Sequence, residues 1–407
     1  REGCAAISPQ KCIDCGECIR VCPYKAKKAT HDRLDSLKNY KYKIALPAPA
    51  LYGQFDNLDD IDFVVQGLYD MGFDDVFEVA KAAEMVSGYT RQYLRSENIP
   101  KPVISSACPV IVRLISMRFP LLCKNILPIL PPVEVAGKFA REKALCEHPE
   151  LSDSDIGCFF ISPCPAKVSY VKNSFSGTKS NVDGVLSVSD VYFELVSAMN
   201  KIKVPEKSTE AGCVGVSWAT AGGESTAVFN ERYLAADGIE NVIRVLDQIE
   251  NSDFVELNAC NGGCVGGVMT VANPYIAKAR IHSLRRYLPV SPNYHPSDGE
   301  MDGGVVMPDV ESIPQTPLSD DRAEAVRMMS DIQEIRKDLP DLDCGSCGAP
   351  TCAAFAEDIV RGEASADDCV VFMRHVFHDY IKRHVQQSRI AEEKTADGEN
   401  ERRKADT

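Results

Sequence analysis

Cys260 and Cys264 stand four apart in the run Cys260-Asn-Gly-Gly-Cys264-Val-Gly-Gly267, which is half glycine. A thiolate is a ligand for iron, and glycine lets the backbone turn sharply and approach a bulky group. The run therefore reads as two metal ligands beside something large. A disulfide is the competing reading, but the cysteines of this chain come in groups. Of the seventeen, most fall into three sets: Cys4, Cys12, Cys15, Cys18 and Cys22; Cys108, Cys164, Cys260 and Cys264; and Cys344, Cys347, Cys352 and Cys369. Grouped cysteines in a chain with no visible secretory signal read as metal sites before disulfides. Cys123, Cys146, Cys158 and Cys213 stand apart in apolar or small-residue surroundings and read as small buried hydrophobes.

The first set contains Cys12-x2-Cys15-x2-Cys18-x3-Cys22-Pro23, with Gly16 permitting the tight turn between ligands. Two-residue gaps aim successive thiolates at one [4Fe-4S] cubane. Either Cys4 or Cys22 completes that cluster. In the first case Cys22 would serve a second one, because the fourth cysteine of such a run ligates the other cluster in two-cluster ferredoxins. Zinc is the alternative, and the Cys-Pro ending favours iron–sulfur.

These ligands need a scaffold. The chain has 407 residues, 44% of them hydrophobic, which suffices for two or three domains with a sizeable core. No apolar run is long enough to span a membrane, and a net charge of −14 argues against a nucleic-acid partner. The composition reads as cytoplasmic, and the opening Arg1 as a start short of the natural N-terminus. From Tyr40 onward, strands alternate with helices. Tyr42–Leu46, Val103–Ser106, Ile156–Ile161, Asp183–Leu186 and Phe254–Leu257 read as buried strands. Helical spacing covers Leu58–Tyr69, Val76–Arg95, Val110–Phe119, Ser189–Met199 (capped by Ser189 or Asp190) and Gly238–Glu250. This order predicts an α/β body with mainly parallel sheet. Ligands gather at strand C-terminal ends in such folds, and Cys108, Cys164 and Cys260 each follow a predicted strand.

Three motifs then carry a family resemblance. Ser105-Ser-Ala-Cys108-Pro109, Ser162-Pro-Cys164-Pro-Ala-Lys167 and Glu256-Leu-Asn-Ala-Cys260-Asn-Gly-Gly-Cys264-Val-Gly-Gly267 resemble, in order, the active-site motifs of [FeFe]-hydrogenases. The resemblance spans about residues 1 to 290 and implies a two-lobed α/β domain around an H-cluster. That group is a [4Fe-4S] cubane joined through one cysteine to a two-iron subsite with CO, cyanide and a bridging dithiolate amine. It implies Cys108, Cys164, Cys260 and Cys264 as cubane ligands, Cys264 as the bridge, and Lys167 as a hydrogen-bond donor to cyanide. The implied reaction is heterolytic H2 cleavage, with electrons leaving through the N-terminal cluster.

The departures from the family pattern point to slow use. Ala107 occupies the position of a proton-relaying cysteine and has nothing to titrate. Ser162 and Asn258 stand where the motifs carry methionines, and Tyr170 where a glutamate follows the lysine. With Ser-Trp218-Ala-Thr-Ala-Gly-Gly223-Glu224, the chain resembles the sensory branch of the family.

Six prolines from Pro289 to Pro317 read as a linker. Beyond it, Asp320–Lys337 reads as a helix. Cys344-Gly-Ser-Cys347-Gly-Ala-Pro-Thr-Cys352, with Cys369 further on, looks like the small [4Fe-4S] domain of electron-transfer proteins related to corrinoid iron–sulfur proteins; zinc is the runner-up. Val370–Ile390 reads as an amphipathic helix whose His375, His378 and His384 are surface residues, and 391–407 as a disordered polar tail. The expected organisation is a ferredoxin-like segment (1–35), an H-cluster domain (40–290), a linker (291–320), a four-cysteine domain with its helix (321–390) and the tail. The expected function is H2 sensing with a redox or signalling partner, in a monomer or homodimer. An ordinary redox hydrogenase and an iron–sulfur scaffold protein are the rivals.

Overall fold

The computed structural model describes residues 7–173, 179–249, 252–293, 303–313 and 317–385. Cys4, the end of the last helix and the polar tail lie outside them. The chain divides into two compact units, one formed by Cys12–Pro314 and the other by Arg1–Lys11 with Gln315–Thr407.

The larger unit is α/β with two parallel sheets, as the alternation predicts. Its strands are β1 (Tyr42–Pro47), β2 (Asp75–Val76), β3 (Val103–Ile104), β4 (Ile156–Ser162), β5 (Gly184–Ser187), β6 (Tyr233–Asp237) and β7 (Phe254–Asn258). One sheet has the order β2-β1-β4-β5 and the other β3-β7-β6, and every pairing is parallel. The first sheet is covered on both faces, so period-2 alternation sorts its residues into two cores. Ile44, Leu46, Ile156, Cys158 and Phe160 enter one core, while Ala45, Phe159 and Ile161 enter the other. The first of these cores also takes Val103 and Phe254 from the second sheet. A third core holds Ile104, Val255 and Leu257 against helix Pro109–Arg118.

Several elements differ from the sequence reading. Strand β6 has no fully buried residue and thus no apolar run to announce it. Helix Pro132–Glu147 begins in a proline pair that reads as a breaker, but proline at the first helical position loses no hydrogen bond. Helix Pro274–Leu284 was likewise unforeseen. The cap of the helix after β5 is Ser187, whose side chain accepts from the Ser189 amide. The expected linker is in part body: Val305 is fully buried, Leu130 N–H donates to its carbonyl at 2.9 Å, and Ile313 N–H donates to Ser116 O at 2.9 Å. From Cys12 onward the N-terminal cysteine segment falls within the same compact unit as the body. Cys146 is exposed, against the expectation for a lone apolar cysteine. Among the described residues no helix is long and apolar enough to cross a membrane.

The smaller unit packs helix Arg322–Asp338 against helix Cys352–Val360. Its core is Leu339, Ala349, Cys352, Phe355, Ala356 and Cys369. Residues 370–385 continue as a helix on which His375, His378 and His384 are exposed, and His384 Nε2 lies 2.7 Å from Tyr380 Oη.

Candidate metal centre

Strands β3 and β4 each run into a cysteine followed by a proline. A residue before proline is held in extended backbone, so Cys108 and Cys164 end their strands and stand at the N-caps of helices Pro109–Arg118 and Pro165–Lys172. Strand β7, the middle strand of the second sheet and the direct neighbour of β3, delivers Cys260. The three strand ends converge on one cavity. Cys108, Cys164, Cys260 and Cys264 all line it, with Ala107, Lys167 and Asn258. Among the described residues no three His, Cys, Asp or Glu side chains close on a point that one ion could fill. The four thiols instead surround a volume, as a polynuclear group requires.

The glycines of the 260–267 run serve backbone packing. A Cβ on Gly267 would lie 2.2 Å from Pro163 O, and one on Gly263 would lie 2.4 Å from the Ala221 nitrogen, where φ is +90°. Met269 N–H donates to Pro163 O at 3.0 Å, which ties the Cys264 turn directly to the Cys164 turn. Glycine thus fixes the spacing of two ligand-bearing turns rather than leaving space for the ligand.

Burial makes bare thiolates costly here. It pushes the Cys164 thiol up to about 12 and raises Cys108 and Cys260 as well. A bound cationic group would reverse that preference and release the protons. Lys167 Nζ lies 3.8 Å from Cys264 Sγ. Burial works against its charge, but Cys264, Cys164 and Cys108 outweigh burial, so its pKa is raised. The cysteines and the lysine together fit a metal cluster with anionic ligands.

Two residues quoted within motifs but given no role by the sequence reading also line the cavity, Glu224 and Glu256. Glu256 Oε1 accepts from Gly222 N at 2.9 Å and Asn258 Nδ2 at 2.7 Å, and its Oε2 accepts from Ser225 N at 2.8 Å. Glu224 Oε2 accepts only from Ser105 Oγ, at 2.6 Å, and Oε1 has no partner. Burial, followed by the nearby Glu256 charge, raises the Glu224 pKa well above the carboxylate range. Burial raises Glu256 as well, but its three donors against the single one on Glu224 favour the charge on Glu256 and the proton on Glu224. Ala107 N–H donates to Ser105 Oγ at 3.1 Å, so this hydroxyl and acid stand directly behind Ala107. No local spacing could reveal the pair, because Glu224 and Glu256 come from separate elements.

Other sequence-predicted residues are placed as follows. Ser162 is buried and does not line the cavity; its Oγ donates to Cys164 O at 3.0 Å and accepts from Cys164 N at 3.2 Å, shaping the ligand's turn. Tyr170 lies in a different pocket with Ser106, Met307 and Asp309. Of the N-terminal set, Cys15 lines the main cavity, whereas Cys12, Cys18 and Cys22 do not. Cys22 Sγ accepts from the Ala26 amide at 3.4 Å, and backbone donors lower its pKa. In the smaller unit Cys344, Cys347, Cys352 and Cys369 line one pocket of about 310 Å³, and Asp343 holds the Cys352 amide at 2.6 Å. None of the described cysteines forms a disulfide.

Comparison with known proteins agrees with this geometry. Residues 41–229 match the family "iron only hydrogenase large subunit, C-terminal domain", a match that includes Cys108, Cys164 and Lys167 and ends before Cys260. Residues 5–28 match a 4Fe-4S binding domain, and residues 339–371 an Fe-S cluster family. A 36-residue segment is 56% identical to the corrinoid/iron-sulfur protein large subunit of Moorella thermoacetica, covering 9% of this chain and 8% of that protein. A 51-residue segment is 37% identical to an uncharacterised protein of Methanocaldococcus jannaschii, covering 12% of this chain and 23% of that one. The chain thus spans only a small part of these curated relatives. A solved [FeFe]-hydrogenase, from work on oxygen inactivation of the H-cluster two-iron subcluster, shares the fold at 15% identity, with 68% of this chain and 95% of that one covered and a TM-score of 0.51. The chain is thus similar to the iron only hydrogenase large subunit over residues 41–229, matches a 4Fe-4S binding domain ahead of it, and shares its fold with a solved [FeFe]-hydrogenase.

Proposed function

We propose that this chain is an H2-responsive hydrogenase-like protein that turns over slowly and reports H2 to a redox or signalling partner. The observation that carries the reading is the cavity wall itself. The four cysteines and Lys167 line it, Ala107 stands at the relay position, and Tyr170 lies in another pocket. Cys108, Cys164, Cys260 and Cys264 would hold the H-cluster, with Cys264 shared between its two parts. When bound, that group supplies heterolytic H2 cleavage, H2 giving 2 H+ and 2 e−.

The protein's share is ligation, a dry wall and proton handling. Val79, Val133, Phe160, Trp218 and Leu257 supply apolar lining. Lys167, buried and cationic, presents N–H donors to anionic ligands. Ala107 can neither donate nor accept a side-chain proton. Glu224 can hold one, one hydroxyl away at Ser105. Cys15 in the same wall supports electron exit to the N-terminal cluster, and the four-cysteine pocket of the smaller unit supports a further cluster. A cytoplasmic setting agrees with the free cysteines.

A second reading, a redox hydrogenase with its own proton route, has the Ser105–Glu224 contact in its favour. Anaerobic loading of the two-iron subsite decides between them. The sensory reading expects infrared CO and cyanide bands that respond to H2, together with H2 oxidation far below that of fuel-type hydrogenases. Fuel-type turnover would support the second reading, and absence of the bands after loading would remove both in favour of a scaffold.

A further inference from the structure

The two cations at the body's four-cysteine site divide it between them. Lys167 serves one side, 3.8 Å from Cys264 Sγ and acting on Cys108 and Cys164. The other side belongs to Arg20, which comes from the N-terminal cysteine segment. It lies on the short helix Glu17–Arg20 between Cys18 and Cys22. Its Nη2 donates to Gly266 O at 2.8 Å, 246 residues away, in the turn that follows Cys264. Its Nε donates to Glu17 Oε2 at 3.2 Å. The charge of Arg20 also reaches Cys260.

The helix is seated closely. A Cβ on Gly16 would fall 2.6 Å from Val268 Cγ2, so this turn rests on the strand of chain that leaves the Cys264 run. Asp14 Oδ2 lies 3.7 Å from Arg113 Nη1, on the helix that follows Cys108. Cys15 lines the main cavity. The N-terminal segment therefore brings Cys15 to the cavity wall and a cation to the Gly266 carbonyl, two residues past Cys264.

We propose that Arg20 is a positioning residue that sets the reduction potential of the body's iron–sulfur site while clamping the Cys264 turn through Gly266. This rests on the reading that both cysteine sets hold clusters. A cation beside a cluster favours its reduced, more negative form and so raises its potential. Glu17 opposes part of that effect. Arg20 and Glu17 keep 35% and 47% of their side-chain surface exposed, so solvent and salt screen them.

The test is a redox titration, followed by electron paramagnetic resonance, of the full chain reconstituted with iron and sulfide but without the two-iron subsite. Arg20→Gln, which keeps an N–H donor for Gly266, should lower the midpoint potential of the body cluster at unchanged iron content. Glu17→Gln should raise it. Both shifts should shrink as ionic strength rises. The proposal is overturned if neither variant moves the potential, or if the shifts ignore salt. Should Arg20→Gln fail to hold its clusters, Glu17→Gln decides by itself. Failure of the wild-type chain to bind iron at the body cysteines would instead overturn the cluster reading beneath it.

Discussion

Replacing Glu224 by glutamine tests whether the cavity wall stores a proton. The side chain is fully buried, its Oε2 accepts one hydrogen bond from Ser105, and Oε1 has none. Desolvation and the Glu256 charge both raise its pKa. A carboxyl whose folded pKa lies above its unfolded value contributes most stability below that unfolded value, about 4.3. The contribution is lost as pH rises toward the folded pKa, because the unfolded chain ionises and the native one cannot. Within that window the loss is about 1.4 kcal/mol per pH unit. As pH rises from about 5.5 toward neutrality, wild type should therefore lose stability relative to Glu224→Gln. Other buried acids with raised pKa values, Glu78, Glu84 and Glu134, affect both proteins and cancel in the difference, whereas Glu256, raised as well and facing Glu224, belongs to the pair the difference reads. Unfolding of both proteins, cluster-free and anaerobic, across that range supplies the slopes. Infrared spectroscopy supplies an independent check, since an un-ionised carboxyl band should be present at neutral pH and absent in the variant. Parallel stability profiles with no loss of the band would refute the assignment of the proton to Glu224.

Three further outcomes follow from the geometry. Ala107→Cys places a titratable group at the cavity wall, and H2 oxidation by the loaded protein should rise roughly 10²-fold, the lower range for a positioned acid–base group; unchanged turnover would mean that another route already works at full speed. Gly267→Ala puts a methyl group 2.2 Å from Pro163 O, which should cost about 1–3 kcal/mol and lower the iron bound by the body relative to wild type in a metal assay. Cys352→Ser removes a buried ligand from the smaller unit's pocket, so iron content should fall by one cluster while the infrared bands of the loaded body stay in place; their loss would show the two units to be dependent on each other.

The sequence was most informative where chemistry is local. Cys-x2-Cys-x2-Cys and Cys-Gly-Ser-Cys place successive thiols within single turns, so ligand identity follows from spacing. Cys108 and Cys164 were legible because proline after each cysteine holds it extended at a strand's end. Buried strands announced themselves by apolar runs, and β6 escaped because it is a half-exposed edge. Ser162 illustrates the limit of motif reading. It stands where the motif carries methionine, yet its hydroxyl turns back onto Cys164 and does not line the cavity.

From the sequence alone came the α/β alternation and the three cysteine sets, since each depends on residue type and near-neighbour spacing; the reading of Ala107 as a missing relay came from the resemblance of its motif. The tertiary structure alone decided which turns share a wall. Long-range packing carried Arg20 to Gly266, set Cys15 beside the body's cysteines, and placed Glu224 with Glu256. It also decided where protons reside, because burial and partner count, rather than residue type, determine which of two glutamates stays neutral.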